Sequence, residues 1–339
     1  MTNHLSEPGL CSANIDKSLT GRAIAPKAES IKNDEAIAAI ARAPNLTIID
    51  ALALEMTNFA KSVGLAALIV AAWLSVAIAE DNPRIAVASP LDRGFIGLYN
   101  LDFAGAQKDF ASWQSQHPDD PVGPVSEAAG FLFSEFNRLG VLEAQFYEND
   151  SAFDKRPKLT PDPKLRESFQ NAINRAETLA RARLAKDSKD RDALFAMTMA
   201  SGLQADYAAL IEKRNLASLH YTKEASGWAQ QLLAVCHDCY DALLATGFSK
   251  YIIGSMAAPV RWLLRMGGLP ADKQGGIADL QTTAEHGHYL APFARILLAI
   301  AYVREKDKGK ALELLAGLRR DFPGNTLFPR EIAHLQASH

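Results

Sequence analysis

The chain has 339 residues, of which 48% are hydrophobic and 22% are charged, a composition typical of a folded protein with a sizeable core. Its 36 basic residues are nearly balanced by 39 acidic residues, so the formal net charge is −3. This balance excludes a strongly basic field over the whole chain. Composition alone therefore indicates neither nucleic acid nor anionic lipid as a partner.

The N-terminal part of the chain predicts export. Residues 1–55 are mostly polar, and we expect a leader there that is disordered or not translated. The following segment, 56–79, contains an apolar run without a charged residue from 63 to 79, which closes with the small residues Ala77 and Ala79. An apolar run that ends in A-x-A is typical of a secretory signal peptide. We therefore expect cleavage after Ala79 and an exported protein, periplasmic or secreted.

Two alternatives remain open for the apolar run 63–79. It is long enough, at the short limit, to cross a bilayer whose hydrocarbon core is about 30 Å thick, and an uncleaved run would attach the protein to a membrane. An Ala-rich apolar run also occurs as a buried core helix in large helical proteins. The acidic residues that directly follow the A-x-A sequence favour the signal peptide.

Residues 80–339 show a helical pattern almost throughout. Ala, Leu, Glu, Lys, Arg and Gln dominate, apolar residues recur every three and four positions, and Gly or Pro interrupts the pattern at intervals suited to short helices. The sequence IAVASP is the one strand-like alternation, and it is too short to build a sheet. The pattern predicts an all-α domain.

Two segments of this domain share an internal spacing of four, three and five residues. They are Ala106, Phe110, Trp113 and Pro118 in the first copy, and Ala311, Leu315, Leu318 and Pro323 in the second. A small residue allows the second helix of a hairpin to approach the first, two apolar residues fill the groove, and the proline ends the helix. Leu298, Ala299 and Tyr302 supply a first helix for the second copy.

Weaker copies lie between these two. They contain Ala176, Ala180 and Ser188 in one case, and Ala225, Ala229, Leu232 and His237 in the other. Each leads into an Asp-Ala pair, and Asp192 and Asp241 are predicted to cap the helices that follow. The sequence RMGGLPADKQGG predicts a helix stop, a turn and a close helix contact. We expect the tryptophans Trp113, Trp228 and Trp262 to pack between helices.

The chain from about residue 98 to 333 resembles exported bacterial tetratricopeptide-repeat proteins, and more distantly the tetratricopeptide repeat protein 39 group. The resemblance lies in phrases such as LYNLDFAGAQKDF, KLTPDPKLRESFQNAINRAETLARARL and RDFPGNTLFPREIAHLQ. It implies a solenoid of helical hairpins and brings no catalytic residues with it. His237 and Ser188 stand where many relatives have proline.

The strongest candidate for chemistry is the sequence AVCHDCYDA. Cys236 and Cys239 stand at C-x-x-C spacing, and His286 and His288 in EHGHY are possible further metal ligands. Three interpretations stay open for the cysteines: packing residues in a turn, a disulfide in an oxidising compartment, or a metal or redox site. A c-type haem site is excluded because Tyr240, and not histidine, follows the second cysteine.

Other enzyme signatures are absent from the sequence: there is no glycine-rich phosphate loop, no G-x-S-x-G and no H-E-x-x-H. Asp119 and Asp120 are predicted to be ordinary exposed charges. We expect a non-enzymatic, tetratricopeptide-like scaffold or binding module of the cell envelope, with no cofactor, whose concave face takes a protein or peptide. The alternatives are a thiol- or metal-dependent activity at Cys236 and Cys239, and a membrane-anchored assembly factor.

Overall fold

The structure, a computed structural model, describes residues 89–142 and 159–337. Twelve α-helices and no strand occur in these ranges, which confirms the predicted all-α class. In chain order the helices are α1 Pro90–Tyr99, α2 Phe103–Gln116, α3 Val122–Arg138, α4 Pro163–Leu184, α5 Arg191–Asp206, α6 Asn215–Val235, α7 Leu243–Ser255, α8 Ala258–Met266, α9 Lys273–His286, α10 Ala291–Arg304, α11 Lys308–Asp321 and α12 Leu327–Ala337. The leader 1–55 and the segment 56–79, with Ala77 and Ala79, lie outside the described residues.

Short polar residues define where many of these helices begin. A side-chain oxygen accepts a hydrogen bond from a backbone N–H of the first turn, which satisfies a donor that has no partner within the helix. The residues that do this are Ser89 for α1, Asp102 for α2, Asp162 for α4, Asp190 for α5, Asp272 for α9 and Asp307 for α11. Both predicted caps are wrong: Asp192 lies inside the first turn of α5, and Asp241 bonds to a different part of the chain.

Neighbouring helices pack as pairs in chain order. The pairs are α1 with α2, α3 with α4, α5 with α6, α7 with α9, and α10 with α11, and α12 follows the last pair. The small residues of the repeat spacing lie at these contacts, since Ala106 and Ala311 are fully buried. A Cβ atom placed on Gly97 of α1 would lie 3.2 Å from the Cβ of Ala106, so α1 and α2 approach closely.

Helix α8 is an insertion between the two members of the fourth pair. It ends at a turn in which Gly268 has a φ of +83°, a conformation that favours glycine. The close helix contact predicted for the same sequence lies between α7 and α9, where a Cβ on Gly276 would lie 2.5 Å from the backbone nitrogen of Tyr251.

Residues next to the last helices contact the first helix. The hydroxyl of Tyr99 in α1 donates to the carbonyl oxygen of Tyr289 at 2.8 Å, and the side-chain amide of Asn325 donates to the carbonyl oxygen of Tyr99 at 2.8 Å. Aromatic rings join the same parts, because Phe95 of α1 stacks on Tyr289 with ring centroids 4.6 Å apart. Within the described residues, the first helical pair is therefore held by the turns on either side of α10 and α11.

The tryptophans differ in their surroundings. Trp113 and Trp228 are half-buried against the core, as predicted. The prediction for Trp262 is wrong, because this side chain on α8 is 65% exposed. Across the described part of the chain, no helix is both long and apolar enough to cross a membrane.

Candidate binding site

The N-terminal ends of four helices bring acidic residues close to a tyrosine that precedes a fifth helix. Four aspartates, one from each of the first four helical pairs, lie close enough to Tyr289 for their carboxylates to act electrostatically on its hydroxyl. We call these four residues the aspartate cluster: Asp92 in the first turn of α1, Asp120 before α3, Asp192 in the first turn of α5, and Asp241 before α7. Tyr289 itself precedes α10. The cluster is therefore a product of the stacking of successive pairs.

Tyr289 is held by aromatic contacts. Its ring stacks on Phe95 and lies 6.1 Å from the ring of Phe195, centroid to centroid. Its hydroxyl has no hydrogen-bond partner among the described residues, and burial together with the four nearby carboxylates raises the pKa of Tyr289. The phenol therefore stays protonated at neutral pH, with a donor free to bind an incoming group.

Asp92 forms the floor of the site. It is 2% exposed, and its Oδ2 accepts hydrogen bonds from the backbone nitrogen and the hydroxyl of Ser89 in a capping box. Its Oδ1 lies 2.9 Å from Nε2 of His288. The His288 side chain is 53% exposed, so it links the buried carboxylate to the rim of the site.

Asp120 is more enclosed than the sequence predicted. Its side chain is 14% exposed, and it accepts hydrogen bonds from the indole Nε1 of Trp113 at 2.6 Å and from the backbone nitrogen of Val122 at 3.0 Å. The Trp113 contact fixes the carboxylate beside the start of α3, where the helix dipole stabilises negative charge. Its neighbour Asp119 is exposed, as predicted.

One cation already lies against the cluster. The guanidinium of Arg183, at the end of α4, lies 2.7 Å from Asp190, 3.3 Å from Asp192 and 3.7 Å from Asp120. The Asp192 side chain is 62% exposed, so this edge of the site faces water. Arg183 shows how this acidic surface holds a planar cation, with three carboxylates around one guanidinium.

Asp241 belongs to both the site and the fold. Its carboxylate accepts hydrogen bonds from the backbone nitrogens of Tyr289 at 3.0 Å and Leu290 at 3.1 Å, and so caps the approach to α10. Burial raises the pKa of Asp241, while the two backbone donors act in the opposite direction. This residue therefore fixes the position of Tyr289 from the preceding helical pair.

The turn before Asp241 contains the C-x-x-C pair. The structure joins Cys236 and Cys239 in a disulfide with a Cα–Cα distance of 5.4 Å. His286 lies beside the ring of Tyr240, and His288 contacts Asp92, so the structure does not bring the two histidines together with the two sulfurs. Among the described residues, the ligand atoms that lie within 4.8 Å of one another belong to Cys236, Asp238 and Cys239, whose two sulfurs are bonded to each other.

Sequence reasoning missed most of this site. It singled out His288 as a metal ligand and Asp192 and Asp241 as caps, but not Asp92, Arg183 or Tyr289. The signal was the recurrence of aspartate shortly after each helix stop, as in HPDDP, KDRDA and CYDAL. That recurrence marks the ends of helices that stacking brings together, and only the fold shows where they meet.

Comparison with known proteins gives no relative that would identify the function. No protein-family model, curated protein or solved structure matches this chain. The function must therefore follow from the geometry and charge of the site itself.

Proposed function

We propose that this chain is an exported tetratricopeptide-like binding module that holds a cationic segment of another protein at the aspartate cluster. The observation that carries the proposal is that carboxylates from four successive helical pairs lie near Tyr289. Asp241 binds the Tyr289 backbone, Asp92 contacts the adjacent His288, and Arg183 bridges Asp120 and Asp192. The repeat spacing and the ordered helical pairs support the tetratricopeptide-like type, since such solenoids use surfaces to which each repeat contributes.

The charge of the site favours a cation. Three carboxylates, those of Asp120, Asp190 and Asp192, lie around one guanidinium, that of Arg183, so this part of the site carries more acidic than basic groups. A lysine or arginine side chain placed near Asp192 and Tyr289 would gain Coulomb attraction and a hydrogen bond to the phenol oxygen. The same field repels nucleic-acid phosphates.

The spacing of the carboxylates favours an organic cation over a single metal ion. A divalent ion needs several oxygen ligands at roughly 2.0–2.6 Å, so their atoms must lie close together. No three acidic groups of the aspartate cluster come within 4.8 Å of one another in the described structure. A side chain or a peptide can instead engage the carboxylates separately.

The disulfide supports the exported location. Disulfides persist in oxidising compartments such as the periplasm and are rare in the cytosol. Cys236 and Cys239 form a bond within one turn, which does not depend on a partner chain. The segment 56–79, which predicts export, lies outside the described residues.

The test uses a fluorescein-labelled oligolysine peptide and an oligoglutamate peptide of the same length, titrated with the full chain and followed by fluorescence anisotropy at low salt. We expect oligolysine to bind and oligoglutamate not to bind. Asp192→Asn should weaken the binding about two- to fivefold, the effect of one partly exposed charge. Asp119→Asn is the matched control, because it removes the same charge from an exposed neighbouring position. Equal effects of the two substitutions, or equal binding of both peptides, would contradict the proposal.

A further inference from the structure

Helix α8 carries a face that nothing covers in the described structure. Three large hydrophobic side chains of the described residues are strongly exposed, Leu216 at 84%, Met266 at 68% and Trp262 at 65%, and two of these three lie on α8. Surface tryptophan of this exposure is unusual in a soluble protein, because the indole ring offers a large apolar area.

The exposed apolar residues of α8 form one stripe. Pro259, Trp262 and Met266 are exposed and follow one another at intervals of three and four residues, the spacing of a single helix face. On the other side of the helix, the Arg261 guanidinium donates to the carbonyl oxygens of Gly254, at the end of α7, and of Met256. The stripe therefore lies on the exposed side of α8, away from these contacts.

The surroundings of the stripe are basic. The segment 256–268 contains Arg261 and Arg265 and no acidic residue, although the whole chain has a net charge of −3. Arg265 is exposed beside Met266, and the Lys223 ammonium donates to the carbonyl oxygen of Gly267 at 2.9 Å, directly after α8. Two exposed cations, Arg265 and Lys223, thus lie near the end of the helix that bears the exposed tryptophan.

The size of the stripe distinguishes between possible occupants. Trp262 and Met266 together offer roughly 300 Å² of apolar surface, whereas a stable protein–protein interface buries about 800 Å² on each partner. A second copy of this chain on a two-fold axis would also place Arg265 near its own equivalent. A short amphipathic helix with tryptophan on one face and cations beside it fits the interface of an anionic membrane.

We propose that α8 is a peripheral membrane-binding element that inserts Trp262 and Met266 into the headgroup region of anionic lipid. Arg265 and Lys223 then lie at the level of the lipid phosphates. The balanced charge of the chain predicted no anionic lipid partner, because composition averages over a local segregation of charge that the fold creates at α8. This attachment is separate from any role of the segment 56–79.

The experiment measures the environment of Trp262 directly, so that attachment through other segments does not affect the result. The full chain and the Trp262→Phe variant are mixed with vesicles of phosphatidylcholine, with and without phosphatidylglycerol, and the difference between their emission spectra gives the signal of Trp262. With phosphatidylglycerol we expect this signal to shift to the blue, to be quenched by brominated lipid and to be protected from iodide.

Arg265→Gln tests the contribution of charge. We expect it to reduce the apparent partition of the Trp262 signal onto anionic vesicles about fivefold, the effect of one basic residue near such a surface. Arg319→Gln, an exposed arginine on α11, is the matched control and should have no effect. A Trp262 signal that stays accessible to iodide and unquenched on anionic vesicles, or one that responds equally to neutral vesicles, overturns the proposal.

Discussion

Asp206 is a partly buried acid at the end of α5. A π-helical turn, Tyr207–Ile211, follows it directly, and the carboxyl group has no hydrogen-bond partner among the described residues. Burial raises the pKa of Asp206 to about 7. The group is therefore close to half-protonated at neutral pH.

This pKa predicts how stability depends on pH. In the unfolded chain the carboxyl titrates near its ordinary value of about 3.9, so between that pH and about 7 the folded protein binds more protons than the unfolded one. The free energy of unfolding therefore falls as pH rises through this window and is flat above it. Asp206→Asn, which cannot ionise, should be more stable than wild type by up to about 4 kcal/mol at pH 8 and no more stable at pH 4.

Urea unfolding followed by circular dichroism at the two pH values measures the effect. Asp119→Asn is the control, because it makes the same chemical change at an exposed position. An Asp206→Asn variant whose gain does not change between pH 4 and pH 8 would show that the folded-state pKa of Asp206 is unperturbed.

Two glycines in different helices test the packing of the pairs. A Cβ on Gly276 of α9 would lie 2.5 Å from the backbone nitrogen of Tyr251 and 2.6 Å from the carbonyl oxygen of Gly247, both in α7. A Cβ on Gly202 of α5 would meet no atom within 4 Å. Gly276→Ala should therefore reduce the free energy of unfolding by about 1–3 kcal/mol, because backbone atoms of α7 have to move. Gly202→Ala should raise it by up to about 1 kcal/mol through helix propensity.

Thermal and urea unfolding of the two variants, compared with wild type, measure the change in the free energy of unfolding. We expect it to be negative for Gly276→Ala and positive for Gly202→Ala. Because the chemical change is the same, the difference between the variants reports the α7–α9 contact and not the alanine itself. Two variants of equal stability would mean that α7 and α9 do not approach as closely as described.

The elements show why some features follow from sequence and others do not. The spacing of Ala106 and Phe110 in α2 predicts a buried helix face because periodicity is a local property. The cap of α5 could not be chosen by spacing alone, since Asp190 and Asp192 are both aspartates near one helix start, and the backbone geometry selects Asp190. Trp262 was missed for a related reason: whether an apolar helix face is covered depends on what packs against it, which the sequence of α8 does not contain.

At the scale of the molecule, contacts across more than two hundred residues distinguish this chain from an open repeat array. The side-chain amide of Asn325 donates to the carbonyl oxygen of Tyr99, and the backbone nitrogen of Gly324 donates to the side-chain oxygen of Asn100. In an open solenoid each repeat contacts its neighbours alone, so a change in the last repeat leaves the first unaffected. Here the first and last helical pairs share hydrogen bonds, and we expect their stabilities to be coupled.

Asn325→Ala tests this coupling. Asn325 is 6% exposed, and its side chain also accepts a hydrogen bond from the backbone nitrogen of Leu327, so alanine leaves two backbone groups without a partner. Each lost buried hydrogen bond costs about 1–3 kcal/mol, and we expect amide hydrogen exchange to become at least about tenfold faster both near Leu327 and in α1. Asn174→Ala on the exposed face of α4 is the control and should change neither region. Faster exchange confined to α11 and α12 would mean that the first pair is stable without the last.

Faster exchange in α1 would instead show that the binding site depends on both ends of the domain. The reason is that Tyr99, whose carbonyl oxygen binds Asn325, also donates to the carbonyl oxygen of Tyr289 beside the aspartate cluster.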